Sequence, residues 1–172
     1  LYSKILTIGG NMRFLKFLLT FVMVTFLNFS FADGHGVKLK GDFGWFAVTG
    51  LMMPINDGHI YWSGEFSGTY FADDTKSPLH EAAVRCPGYN DVRIAEDKSD
   101  LAGYCIFQDA SGDQATLHWS GGGKANGAGG EMKWISGTGK YANLSGPAGK
   151  WRGFTMANWK DGYANGWAYW NK

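Results

Sequence analysis

The chain has little proline, little cysteine and no long segment with the 3.6-residue repeat of an amphipathic helix. Only 4 of its 172 residues are proline and 2 are cysteine. The missing helical repeat argues against a helical bundle or an alternating α/β fold. Two cysteines are too few for a disulfide-dense miniature scaffold, and the absence of a Cys-x-x-Cys pair argues against a structural zinc site.

An excess of one charge is also missing. Sixteen basic and 15 acidic residues give a net charge of +1. Without the three basic residues that precede residue 33, 13 basic residues stand against 15 acidic ones, a net charge of −2. Nucleic-acid-binding domains usually carry a clear basic excess that neutralises phosphates. The sequence therefore predicts no nucleic-acid partner.

A short basic segment and then an apolar one stand near the start of the chain. Residues 12–16 are positively charged and residues 17–29 are uncharged and apolar, and the small residues Ser30 and Ala32 fit the rule for signal-peptide cleavage. The apolar run is shorter than the about 20 residues that a membrane-spanning helix needs. We therefore expect an exported, periplasmic or secreted domain without a transmembrane segment. The expected division is translated upstream sequence at 1–11, a signal peptide at 12–32 and one domain at 33–172.

Glycine and tryptophan are abundant, and apolar and polar side chains alternate along several segments. The chain has 26 glycines and 8 tryptophans. Alternation gives a strand one buried and one solvated face. The candidate strands are 37–45, 59–71, 79–86, 91–96, 101–108, 113–120, 130–136, 148–157 and 163–170. The turn signals between them include 56–58, 87–88, 110–112, the glycine run at 121–130 and 161–162. The predicted fold class is all-β, a single closed antiparallel β-barrel of about eight strands, with a sandwich as the alternative.

A Gly-x-Gly sequence followed by Lys140 raises the question of a nucleotide site. In a P-loop, however, glycine and Ser/Thr would stand where this chain has Trp134 and Tyr141. A strand pattern follows the glycines, so the βαβ context of a dinucleotide site is missing as well. We predict no nucleotide site and interpret three glycines as structural turn residues between strands. They are Gly137, Gly139 and Gly146.

The same stretch, SGTGKYANLSG at 136–146, resembles a corner found in β-barrels of the allene oxide cyclase and dirigent type, which belong to the calycin class. That corner has the form Gly-Gly-Thr-Gly-Lys/Arg-Tyr/Phe-Ala-Gly-x-x-Gly, and small exported bacterial proteins carry similar ones. Ser136 and Asn143 replace two of its glycines. The resemblance implies an eight-stranded antiparallel barrel. The catalytic carboxylates of the plant enzymes have no matching positions here.

Cys86 and Cys105 are expected to form a disulfide. Export leads to an oxidising compartment, and two cysteines allow one pairing. We expect the bond to join neighbouring strands near their ends.

Polar side chains give only weak candidates for catalysis. Asp109 and Asp113 flank a turn, but Ser120 stands where a calcium-binding loop would end in Glu. We predict neither a metal nor a cofactor. Glu65 and His59 share the polar face of one predicted strand, and they would be proton-transfer partners only if that face lined a lumen.

Aromatic side chains on apolar faces are the strongest indication of function. An eight-stranded barrel is wide enough either to fill itself or to hold one small ligand. Gly41, Gly64 and Gly68 would leave room between the rings. We therefore predict an internal apolar pocket lined by Trp45, Trp62, Phe66, Trp119 and Trp134. In the last strand, Trp167 is expected to face inward and Trp170 outward.

Three functions are compatible with these features. The preferred one is binding of a small apolar or aromatic molecule by an exported barrel. The alternatives are an isomerase or cyclase of the same architecture, and a structural envelope protein with a filled core. The sequence leaves the oligomeric state open.

Overall fold

The computed structural model describes residues 37–158 and 163–172, so the predicted leader at 12–32, the upstream sequence at 1–11 and the turn at 161–162 lie outside the described residues. Two 3₁₀ turns, Ile94–Glu96 and Gly139–Tyr141, accompany eight strands. The strands are β1 Gly41–Asn56, β2 His59–Ala72, β3 Ala82–Arg93, β4 Lys98–Gln108, β5 Gln114–Lys124, β6 Gly127–Gly137, β7 Gly146–Asn158 and β8 Ala164–Trp170.

The strands form one closed barrel in chain order. Each strand pairs antiparallel with the next, and Gly41–Ala47 of β1 pairs with Ala164–Trp170 of β8. Closure gives hydrogen-bond partners to backbone groups that would be unpaired at the edges of an open sheet. The predicted all-β, eight-stranded antiparallel barrel is confirmed, and the alternative of a sandwich is excluded.

The predicted turn at Pro87 and Gly88 is wrong. The predicted segments 79–86 and 91–96 are parts of the single strand β3, which pairs with β2 without interruption from Ala82 to Arg93. The β3–β4 ladder skips Cys86 and Pro87, so the missing N–H of proline is tolerated there. The glycine run was also misassigned, because most of it belongs to β5 and β6 with a turn only at 125–126. β1, in turn, continues past its predicted end at residue 45 to Asn56.

The two ends of the barrel are packed differently. We call the end formed by segments 73–81, 109–113 and 138–145 the closed end, and the end formed by segments 57–58, 94–97 and 125–126 the open end. Leu79, Tyr141 and Leu144 of the closed-end segments are buried and belong to the hydrophobic core. Among the described turn residues of the open end, none is buried.

Aromatic rings fill the half of the barrel next to the closed end. Trp134, Tyr70 and Phe107 are almost completely buried. The centroid of the Phe107 ring lies 5.6 Å from that of Trp134 and 5.8 Å from that of Tyr70. Each such side chain contributes about 1.5–3 kcal/mol of transfer free energy on burial. This packing gives the closed half a filled aromatic core.

The predicted orientation of the last strand is wrong. Trp170 is 3% exposed, whereas Trp167 is 37% exposed. Phe43 of β1 faces the core, and its partner in β8 is Ala168, so Ala168 and Trp170 face inward with it. Both faces of β8 carry aromatic residues, so alternation alone could not determine its orientation.

The Gly-x-Gly stretch forms a corner between β6 and β7. Gly139 and Gly146 have φ angles of 50° and 84°, in the region that favours glycine. Gly137 has no positive φ, but a Cβ there would lie 2.7 Å from the Cβ of Tyr141. Gly139 and Gly146 are therefore required by their backbone conformation, and Gly137 is required because a Cβ would not fit beside Tyr141.

Candidate apolar cavity

An internal cavity of about 120 Å³ occupies the half of the barrel next to the open end. Lys124, Ala125 and Asn126 line it at the rim, and Phe43 and Trp170 line it at the base. The packed closed half therefore ends in a floor, and the space above that floor reaches up to the 125–126 turn.

Trp170 separates the cavity from the packed core. One part of its ring system lines the cavity, and its ring centroid lies 4.7 Å from that of Tyr70 and 5.4 Å from that of Phe107. The Cys86–Cys105 disulfide also lines the cavity. Packing against the core holds this floor in place when the cavity is empty.

Four aromatic rings form a continuous part of the wall. The centroid of Phe66 lies 5.0 Å from that of Trp45 and 6.2 Å from that of Trp119, and Trp119 and Trp151 are 5.8 Å apart. These contacts are all edge-to-face, an arrangement that the ring quadrupoles favour. The wall is thus preformed by contacts between its own members.

Two glycines on neighbouring strands allow Trp119 to lie against the sheet. A Cβ at Gly88 would be 2.6 Å from Cζ2 of Trp119, and a Cβ at Gly103 would be 2.7 Å from the same atom. The two glycines are directly opposite each other in β3 and β4. Since Gly88 was assigned to a turn, sequence reasoning missed this support for the site.

The structure places three of the five predicted lining residues at the cavity: Trp45, Phe66 and Trp119. Trp62 and Trp134 are not among the residues that line it. Trp62 packs on Phe66 at 4.9 Å between centroids, and its Nε1 donates to Oγ1 of Thr49 at 2.9 Å. Trp134 lies in the closed half, and its Nε1 donates to the carbonyl of Val37 at 2.6 Å. Alternation identifies the inward face of a strand but not the level along the barrel axis.

The space does not come from the predicted glycines. Gly41, Gly64 and Gly68 do not line the cavity, and the Trp62 ring occupies the room beside Gly64, where a Cβ would lie 2.5 Å from Cζ2. The glycines and alanines that do line it are Ala125, Gly127, Ala128, Gly153 and Ala168.

Trp151 is a lining residue that the sequence did not reveal. Its strand, β7, has a register shift against β6, where Met132 pairs with Gly149 and Lys133 with Pro147. An irregular residue in a ladder reverses the alternation that follows it. Ala148 and Trp151 therefore both face inward although three positions separate them.

The lining is apolar except for a few polar groups near the rim. Ser99 is buried, and its hydroxyl donates to the carbonyl of Lys124 at 2.8 Å. The Lys124 ammonium is largely exposed and lies 3.7 Å from Oδ2 of Asp97. Oδ1 of Asn90 and Nε1 of Trp119 are buried and have no hydrogen-bond partner in the described part of the chain.

Glu65 and His59, the predicted acid–base candidates, lie on the outer face of the barrel and apart from each other. Glu65 accepts two hydrogen bonds from the Arg85 guanidinium at 2.7 and 2.5 Å, and these lower the pKa of its carboxyl. His59 Nε2 lies 2.6 Å from Oδ1 of Asp91. Six residues of extended strand separate Glu65 from His59, which corresponds to roughly 20 Å. The structure therefore does not bring them together at a lumen.

Lys140 is engaged by carboxylates at the closed end. Its Nζ lies 2.5 Å from Oδ2 of Asp109 and 2.9 Å from Oδ2 of Asp113, and the Tyr141 hydroxyl donates to Asp109 at 2.8 Å. Burial opposes ionisation of Asp109, but the hydrogen bonds from Lys140, Ser111 and Tyr141 outweigh it and hold its pKa well below the usual range. Within 37–158 and 163–172, no group of three or more His, Cys, Asp or Glu side chains is arranged to hold a metal ion.

Fold and site together define an eight-stranded antiparallel β-barrel with a preformed, aromatic-lined interior cavity. The sequence matches no protein-family model, and it matches no curated protein. The described residues include no helix with the length and apolar character needed to cross a membrane.

Proposed function

We propose that this chain is an exported barrel that binds one small apolar or aromatic molecule in its interior. The observation that carries the proposal is the wall formed by Trp45, Phe66, Trp119 and Trp151 around an unfilled space. Enclosed apolar pockets with few polar groups are the usual form of small-molecule sites. A cavity of about 150 Å³ is large enough for benzene, so a space of about 120 Å³ suits a ligand built on one small ring.

Two features support export. Residues 12–32 have the charge and apolar pattern of a signal peptide. The Cys86–Cys105 disulfide, with 1.97 Å between its sulfurs, is typical of proteins in oxidising compartments. Export would place the open end in contact with molecules of the envelope or the medium.

The corner at 136–146 adds support for a barrel of the allene oxide cyclase and dirigent type. A cyclase in this cavity would need a group that moves a proton or stabilises charge. Of the described residues that line it, Lys124 is the one ionisable side chain, and it lies at the exposed rim. Binding therefore accounts for this lining better than catalysis does.

Ligand binding can be tested by screening small aromatic compounds, terpenoids and fatty acids against the purified exported protein. A ligand should quench tryptophan fluorescence and raise the melting temperature, because binding to the folded state alone stabilises it by about 2.7 kcal/mol at 100 times Kd. We expect single-ring compounds to give the largest shifts.

Two alanine-to-phenylalanine variants localise the site. Ala128→Phe places a ring in the cavity and should abolish the shifts, whereas Ala83→Phe places the same ring on an exposed position of β3 and should leave them unchanged. Absence of any saturable ligand, or equal binding by both variants, would contradict the proposal and favour a structural role.

A further inference from the structure

Two buried polar atoms of residues that line the cavity have no hydrogen-bond partner among the described residues. They are the indole Nε1 of Trp119, a donor, and Oδ1 of Asn90, an acceptor. A buried polar group without a hydrogen bond costs about 1–3 kcal/mol, and folded proteins leave few of them. Trp119 is only 6% exposed, so bulk solvent does not compensate its N–H.

Two other polar groups of the lining already have hydrogen-bond partners within the chain. The Ser99 hydroxyl donates to the Lys124 carbonyl, and the Trp151 indole donates to the Ser120 carbonyl at 3.4 Å. Trp151 therefore differs from Trp119 in this respect, although both indoles line the same wall and contact each other. Among the described side chains that line the cavity, the buried polar atoms without a partner are therefore one donor and one acceptor.

We propose that the ligand carries a hydroxyl group on its small ring, and that this hydroxyl accepts a hydrogen bond from Trp119 and donates one to Asn90. The inference rests on the proposed function and specifies its ligand as a phenol or a small cyclic alcohol. A hydroxyl is both donor and acceptor, so it can satisfy both atoms at once. A pure hydrocarbon would leave both unsatisfied, and a carboxylate could not donate to the Asn90 oxygen.

The matched probes are p-cresol and p-xylene, which differ only by a hydroxyl in place of a methyl group. We expect p-cresol to bind about thirtyfold more tightly than p-xylene by calorimetry, because it satisfies two hydrogen bonds and each contributes about fivefold in affinity. In ¹⁵N-labelled protein the Trp119 indole resonance should move downfield with p-cresol and not with p-xylene.

Three variants test which atoms of the protein produce the preference for p-cresol over p-xylene. Trp119→Phe and Asn90→Leu should each reduce the preference for p-cresol severalfold while p-xylene still binds, which also shows that the variants are folded. Trp62→Phe removes an indole that does not line the cavity and whose N–H already donates to Thr49, and it should keep the preference.

The outcomes separate this inference from the proposed function. If neither probe binds, both fail. If both bind with equal affinity, or if Trp119→Phe retains the full preference for p-cresol, the cavity is a binding site but the hydroxyl assignment is overturned.

Discussion

The closed and open halves of this barrel have the same strands and similar aromatic content, but they are packed differently. In the closed half, the Phe107 ring packs against Tyr70 and Trp134, and loop side chains are buried in the same core. In the open half, the rings of Trp45 and Trp119 stand against the wall, and small residues lie between them. One barrel can therefore devote one end to stability and the other to a cavity.

Removing a ring from each half should give the largest contrast. Trp134→Ala leaves a void in the packed half, and we expect it to lower the free energy of unfolding by about 3–5 kcal/mol. Trp45→Ala enlarges a space that already exists and should cost about 1–2 kcal/mol. Urea denaturation of both variants measures the difference. Equal losses would show that the halves are not energetically distinct.

The Cys86–Cys105 disulfide, at the boundary between the halves, should contribute nearly as much to the free energy of unfolding as the Trp134 side chain does. It closes a loop with a sequence separation of 19, for which chain entropy predicts about 3 kcal/mol. We expect the double substitution Cys86→Ala and Cys105→Ala to lower the free energy of unfolding by about that amount. Reduction should destabilise the wild type but leave the double variant unchanged. Free thiols in the native protein, isolated without reductant, would contradict the bond.

The ion pair of Asp109 with Lys140 at the closed end should make the free energy of unfolding depend on pH in the acid range. Asp109 has a lowered pKa in the folded protein, so its contribution is fully present above the unfolded value of about 3.9 and is lost as the pH falls through the folded pKa. At pH 7 we expect Asp109→Asn to lower the free energy of unfolding by about 1.5–3 kcal/mol.

Unfolding titrations between pH 7 and pH 2 measure this dependence. The wild type and Asp109→Asn should differ most near neutrality and converge in acid. Asp74→Asn is the control, because Asp74 is exposed and caps only the backbone of its own turn. A constant difference between wild type and Asp109→Asn at all pH values would refute the assignment.

The smallest of these effects is expected at the closed-end corner. Gly139→Val should lower the free energy of unfolding by about 1–3 kcal/mol, because a β-branched residue is strained at φ 50° and its Cβ would overlap the Asp113 carboxylate. Ser136→Val, at an exposed position of β6, should have almost no effect. Equal melting temperatures of these two variants would show that the corner does not require glycine. Neither substitution should change ligand binding at the open end.

The predicted and observed strands agree where one face is clearly polar, as in β2 and β5. They disagree where pairing with neighbouring strands, and not the local sequence, determines the structure. Pro87 and Gly88 resemble a turn locally, but β2 pairs with them and extends β3 through both. The orientation of Trp170 was predicted wrongly because the β8 sequence is apolar on both faces. Trp151 was missed because the register of β7 is irregular.

The amino-acid pattern was enough to predict the fold class and the inward faces of the strands that alternate clearly, because alternation and turn chemistry are local properties. It also named the cysteine pair, since two cysteines allow one bond. The level of the barrel at which each inward ring lies became known from the folded barrel alone. Strand register sets that level, and it separated Trp119 at the cavity from Trp134 in the core. Whether a ring fills the interior or lines a space depends on the residues opposite it, which come from strands distant in sequence.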